Sequence, residues 1–355
     1  MAESEKESAA AGARTFPGSD SRKFDYFEPQ GRTATLYEDL TVDVQPDPER
    51  YLLQGWILGF PDGSPTYTEK RTAVKSSNWH RFRSVDQEWD RTHYQRQAAV
   101  ESAIKMISEN ARAQGAPAAF DPSWVSVLQN HVGALKHPEY SLGITFMQAQ
   151  RDGMSQMINT TILTNASYKL RFCQDLTLYL AEIGLDLSKF DTAAGKQSWL
   201  NDPVWQDSRK GIETIRGISD YLEGVFAANL LYENLVTSLV RKFVVRFGAE
   251  HGDFATPSVV GFGQADYERN LANSIELFRV LLNDDKYAET NRDLAKHWIE
   301  KYTPLCVKAA QGLEPLWSQT RIKCAKFEDA FEHVKSNTVE SLSQIDPALA
   351  KGVKF

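Results

Sequence analysis

The sequence lacks most of the features that mark a secreted, membrane-bound or self-sufficient catalytic protein. Only three cysteines occur among its 355 residues, Cys173, Cys306 and Cys324. They are far apart, odd in number and never in CxxC spacing, so neither a disulfide scaffold nor a zinc ribbon is indicated. Reduced thiols fit a cytoplasmic protein. No apolar run approaches the roughly 20 residues of a membrane span. The opening MAESEKESAAAGARTFPGSDSR has no apolar core of a secretory signal. Basic charge is not in excess: 40 Lys and Arg against 47 Asp and Glu leave a net charge of −7, which argues against a general nucleic-acid binder. Neither GxSxG nor GxxxxGK[ST] is present, and GFGQAD at 261–266 lacks the third glycine and the preceding strand of a dinucleotide fingerprint.

Aromatic residues are plentiful, with 8 Trp, 13 Tyr and 18 Phe. Residues 1–22, rich in Ala, Glu, Ser and Gly, read as a disordered tail. Residues 23–85 carry many aromatics among Pro and Gly with little helical period. Such a segment is too apolar for disorder and too irregular for its own core, so it is expected to be an arm. It packs either over its own chain or around a partner subunit, since aromatics at this density are a liability on a monomer. From about residue 86 the pattern turns helical, with helices expected near 86–112, 121–135, 138–162, 165–185, 203–216, 217–247, 257–283, 285–309, 312–334 and 338–346. Asp121-Pro122, His137-Pro138, Asp202-Pro203 and Thr256-Pro257 read as helix starts, with a cap residue before a first-turn proline. The body is therefore all-α, a bundle of long helices. Residues 86–335 form the domain and 336–355 a C-terminal tail.

In the segment 217–247 apolar residues cover most of the circumference, so the helix is expected to be buried on nearly all sides. Glu233 lies inside its main stripe. A buried carboxylate is costly unless paired, protonated or bound to a cation. It is read either as a partner of an inward Arg or as a metal ligand. Bundles that hold two irons draw one Glu from each of two helices and a Glu-x-x-His pair from each of two others. None of the seven histidines here follows a Glu at that spacing. Asp90-Arg-Thr-His93 is the nearest imitation, single and with the shorter acid, and reads as a surface or interface pair.

The stretch TLYEDLTVDVQPDPERYLLQGWILGF, with KSSNWHRF and VDQEWDRTHYQR, resembles the small (beta) hydroxylase subunit of bacterial soluble diiron monooxygenases. It is nearest the propane and tetrahydrofuran monooxygenase branch, and the likeness covers roughly residues 23–335. The resemblance implies a ferritin-like bundle whose metal ligands are lost. ENLVTSLVRKFVVRFGAEHGDFATPSVVGFGQADYERN is similar to two ligand helices of the family's large subunit. Its single Glu falls on Glu233, and the Glu-x-x-His pair falls on Tyr267 and Asn270. The pair of the first half falls near Arg171 and Gln174, where an Arg could neutralise Glu233. No residue is expected to be catalytic and no cofactor is expected in this chain.

The resemblance further implies a two-alpha, two-beta assembly. The diiron centre then lies in the large (alpha) subunit, with a coupling protein and a reductase carrying FAD and [2Fe–2S] that draws on NADH. Phe24, Tyr26, Phe27, Trp56, Trp79, Trp89 and Tyr94 are the expected aromatic anchors of the partner interface. Arg32, His80, Arg81 and Arg91 are its expected polar contacts. A free-standing metal enzyme using Glu233 with Asp90 and His93, or an unrelated helical scaffold, are the alternatives.

Overall fold

The computed structural model describes residues 29–31, 34–41, 69–187 and 189–355. Regular structure among them is helical, as the all-α reading expects. A short helix α1 (Leu36–Thr41) precedes α2 (Asp90–Ala113). Next comes a rod in three parts: α3 (Pro122–Val127), a π turn (Leu128–Val132) and α4 (Gly133–Gln150). After it run α5 (Gln156–Gly184), α6 (Ala194–Asn201) and α7 (Pro203–Arg216). A second composite rod joins α8 (Tyr221–Val225), a π segment (Phe226–Thr237) and α9 (Ser238–Glu250). The chain closes with α10 (Ala255–Leu282), α11 (Ala288–Gln311), α12 (Phe327–Ile345) and α13 (Pro347–Lys351).

Side-chain caps explain several of the starts. The Asp121, Asp202 and Asp220 carboxylates accept from the first-turn N–H groups of Ser123, Val204 and Leu222, satisfying donors that a helix end otherwise leaves bare. His137-Pro138 is different. Pro138 lies buried inside α4, and the helix expected to begin there is the continuation of α3. Burial against the core outweighs the lost N–H. The real break comes at 151–155, where the Ser155 hydroxyl caps α5 by accepting from Ile158 N. α5 then runs without the interruption expected near 163, over about 43 Å at 1.5 Å per residue. α6 escaped sequence reading because its eight residues give too little period.

The C-terminal boundary moves as well. α12 crosses the expected 335/336 division, and Thr338, Leu342, Ile345 and Leu349 are buried, so residues 336–351 belong to the helical body. The periodic face of α12 continues past 335, and nothing in that stretch stops a helix.

The junction between α9 and α10 rests on Gly252 and Asp253. Gly252 has φ +82°, a conformation that costs a residue with a Cβ. It turns the fully buried Asp253 inward. There one carboxylate oxygen accepts from Thr256 N at 2.9 Å, and the other accepts from the Trp124 indole N–H at 2.8 Å and from the Thr256 hydroxyl. Tyr179 shares a hydrogen bond with Thr256. The side chain that caps α10 is thus Asp253, and Thr256 falls inside its first turn. α4, α5, the π segment with α9, and α10 enclose the centre of the bundle.

Candidate functional site

Four charged side chains from four segments meet at that centre. Glu139 of α4, Lys169 of α5, Glu233 of the π segment and Arg241 of α9 are all at most 2% exposed. The Lys169 ammonium donates to Glu139 at 3.1 Å and to Glu233. The Arg241 guanidinium donates to Glu139 and, at 3.3 Å, to Glu233. Each carboxylate is therefore shared between the same two cations, and the group carries no net charge. Asn229 donates to the second oxygen of Glu233, while Gln264 and Ser238 accept from Arg241. The Tyr267 ring lies beneath both cations, its centroid 5.0 Å from the Arg241 Cζ and 5.6 Å from the Lys169 Nζ, a cation–π arrangement strengthened by the dry surroundings.

The local sequence builds this geometry. Lys169 falls among Ile162, Ala166, Phe172 and Leu176 on the buried stripe of α5, so its side chain has no route to solvent. Gly263 of α10 leaves the room that Phe172 fills, since a Cβ there would meet the ring at 2.6 Å. All twelve residues of the π segment are buried. Wide helical turns of this kind are rare and gather at functional sites.

The electrostatics follow from the pairing. Burial pushes the Glu139 carboxyl up, but Lys169 and Arg241 more than offset it and hold it below the usual carboxylate range. Burial pulls Lys169 down to about 8, with Glu139 opposing, so the ammonium keeps its charge at neutral pH. Burial pushes the Tyr267 phenol well up, so it stays protonated.

The structure brings some expected positions together and separates others. Glu233 and Tyr267 are in the cluster, and Asn270 is buried one turn further along α10. Arg171 and Gln174 are not. Arg171 faces outward, paired with Asp175 at 2.8 Å and Glu101 at 3.0 Å, and does not neutralise Glu233; Lys169 and Arg241 do that. The α5 side chain that meets Glu233 is Lys169, two residues before Arg171. Glu139, Lys169 and Arg241 were missed. A Lys at a core position of α5 was a legible signal, of the same kind as Glu233 in its own stripe.

A diiron centre does not fit these residues. Both carboxylates are already held by fixed cations, and no imidazole lies among them. No cluster of three or more His, Cys, Asp or Glu able to hold a metal occurs among the described residues. His93 does not complete such a site with Asp90: its ring nitrogens face Ser167 at 2.9 Å and Glu88 at 3.4 Å.

Of the expected interface residues, Phe24, Tyr26, Phe27, Arg32 and Trp56 lie outside the described residues. Trp79 packs partly buried against the core, and Arg81 reaches Asp285 at 3.8 Å. Trp89 and Tyr94 line a groove with His93 between them, and Arg91 is exposed. The described end of the expected arm runs over its own chain. Ala73 N donates to Asp220, Ser77 to Asp284 and Val85 N to Asn273, while Arg83 pairs with the buried Glu38 at 2.9 Å.

A helical bundle whose central carboxylates are both held by fixed cations defines a class: an all-α bundle with a closed ion cluster at its centre. The comparisons place it within a family. The sequence model described as Methane/Phenol/Alkene Hydroxylase matches residues 56–285, and the chain belongs to that family. It is 39% identical to the propane 2-monooxygenase hydroxylase component small subunit of Gordonia sp. (strain TY-5), over 95% of this chain and 92% of that one. It is 25% identical to the methane monooxygenase component A beta chain of Methylosinus trichosporium, over 84% and 78%. The fold matches solved phenol hydroxylase from Pseudomonas sp. OX1 with a TM-score of 0.75 at 17% identity, covering 94% of this chain and 95% of that one. It also matches toluene 4-monooxygenase with a TM-score of 0.70 at 19% identity, covering 84% and 99%.

Proposed function

We propose that this chain is the non-catalytic small (beta) subunit of the hydroxylase component of a multicomponent diiron monooxygenase of the propane 2-monooxygenase type. That complex hydroxylates small hydrocarbons with O2 and NADH. The observation that carries the reading is the ion cluster in a chain that matches small subunits over nearly its whole length. Where a metal-binding bundle needs open carboxylates and imidazole, this one supplies Lys169, Arg241, Tyr267 and Asn270. The iron then belongs to a large (alpha) subunit, in a two-alpha, two-beta assembly served by a coupling protein and an FAD/[2Fe–2S] reductase. The role of this chain is to hold large subunits in place and to shape the surface on which the other components dock.

No described helix is long and apolar enough to cross a membrane, in keeping with a cytoplasmic assembly. Native mass spectrometry of the tagged chain from its own cells tests the reading. A two-plus-two complex that loses iron together with the large subunit supports it. A lone chain or homo-oligomer that retains iron refutes it.

A further inference from the structure

Between α9, α10 and α12 a groove of about 430 Å3 opens to solvent, a size within the range of small-molecule sites. Its floor is the outer side of the ion cluster. Ser238 and Gln264 line it, and both accept from Arg241. Tyr267 lines it too, with its ring beneath Arg241 and Lys169. One wall is aliphatic, made of Leu271, Ala272 and Ile275 of α10. On the α12 side the buried polar groups satisfy one another: Asn234 donates to Ser341 at 3.2 Å, and Ser341 donates to the Asn337 carbonyl at 2.7 Å.

Four groups of the groove remain unspent. Lys242 is half-buried and makes no ion pair or hydrogen bond among the described residues. The Tyr267 hydroxyl is closed off from solvent and has no partner among them either. Glu268 uses one oxygen, which accepts from Gln264 at 3.0 Å, and Glu340 uses neither. Burial pulls the Lys242 ammonium below its usual value, and the charge of Glu268 offsets only part of this. Cation and acid thus act on each other across the groove without coming within the roughly 4 Å of an ion pair. A buried donor without an acceptor marks an incomplete site.

We propose that this groove binds a free amino acid with an aliphatic side chain. A zwitterion carries both charges in one small body, which suits a cation and two acids that line one groove without touching. Its carboxylate takes the inward donors, Lys242 and the Tyr267 hydroxyl. Its ammonium takes the acids at the open rim, Glu268 and Glu340, both exposed. Its side chain lies on Leu271, Ala272 and Ile275. Other small molecules fit less well. A plain carboxylate sets an anion against two acids, and a phosphate adds a second negative charge. An alkylamine sets ammonium against ammonium and leaves the Tyr267 hydroxyl unpaired. A hydrocarbon buries all four polar groups without partners. The inference uses the residues of this chain alone and does not rest on the small-subunit reading.

The test is isothermal titration of the full chain, in the assembly in which it is purified, with L-leucine as the probe. L-Leucine is expected to bind at one site per chain and to raise the melting temperature. Isocaproate lacks the ammonium and isopentylamine lacks the carboxylate. Each is expected to bind about tenfold more weakly or worse, the loss of one charge-assisted contact. Lys242→Met and Glu268→Gln are each expected to weaken L-leucine by about tenfold for the same reason. Lys296→Met, on α11 and outside the groove, is expected to leave the affinity unchanged. Melts without ligand confirm that the three variants fold. Neither binding heat nor a melting shift with L-leucine overturns the proposal. So does equal binding of isocaproate or isopentylamine, since the groove then reads one charge only. So does wild-type affinity in Lys242→Met, which places the bound leucine elsewhere.

Discussion

Replacing Lys169 with Met separates the roles of the four buried charges. The substitution keeps the side-chain length and removes the ammonium that touches Glu139 and Glu233. Arg241 then faces two carboxylates alone, in a site where all three are at most 1% exposed. Breaking a buried ion pair by deleting one partner costs about 3–5 kcal/mol, because the remaining charge is uncompensated. At about 2–4 °C per kcal/mol for chains of 150–250 residues, and somewhat less for longer ones, the melting temperature falls by about 5–15 °C. Adding Glu233→Gln removes one negative charge and restores neutrality, with Glu139 and Arg241 still paired. The double variant is expected to recover about half of the loss, since residues of one network are not additive. Urea unfolding of wild type, both single variants and the double variant gives the coupling directly. A Lys169→Met chain within about 1 kcal/mol of wild type, below the range expected for a buried pair, refutes the assignment of the ammonium as the counter-charge.

Other outcomes follow from single features. Asp253→Ala removes the α10 cap and leaves the Trp124 indole N–H without its acceptor; a cap is worth about 1 kcal/mol and a stranded buried donor about 1–3, so a loss of about 2–4 kcal/mol is expected in urea. Gly252→Ala forces a Cβ into a left-handed backbone at φ +82° and is expected to cost about 1–2 kcal/mol by the same measurement. Acid weakens the fold through Glu139. Its folded pKa is depressed, so its contribution is fully present above the unfolded value of about 4.5 and is lost as pH falls through the folded one. In Lys169→Met, with one counter-charge fewer, acid unfolding is expected at higher pH than in wild type, monitored by tryptophan fluorescence.

Helix existence was legible because the stripes of α5, α9 and α10 are long and periodic. Helix ends were less so. His137-Pro138 has the chemistry of a start, and only the packing of α4 shows that the helix runs through it. The centre was half legible. Glu233 stood out because every other residue of its stripe is apolar, and Tyr267 and Asn270 came from the likeness to ligand helices. The partners of Glu233 did not emerge, because pairing depends on which helices face each other. Lys169 is 64 residues from Glu233 and Glu139 is 30 from Lys169, separations that no local pattern reports. Arg171 was preferred for its spacing, yet two residues along a helix turn a side chain to the opposite face, and Arg171 points outward.

The composition of the cluster raises the question of what it is for. A two-iron bundle balances four carboxylates against two metal cations. Here two carboxylates are balanced by two fixed cations from the protein, and the sum again closes at zero. Neutrality could equally have been reached with apolar residues, and such replacements of buried ion networks are often neutral or stabilising by about 1–4 kcal/mol. Stability alone therefore does not explain why charges remain. What the four groups do is tie α4, α5, the π segment and α9 to one another at a single level, by four hydrogen bonds or ion contacts that apolar side chains lack the direction to make. The variant Glu139→Leu/Lys169→Met/Glu233→Leu/Arg241→Met is expected to be as stable as wild type or more stable by up to about 4 kcal/mol. Amide exchange in α5 and the π segment is expected to speed up, because helix register is less tightly fixed. If the variant keeps wild-type exchange protection in those helices, the cluster does not set the register, and the retained charges have some other cause.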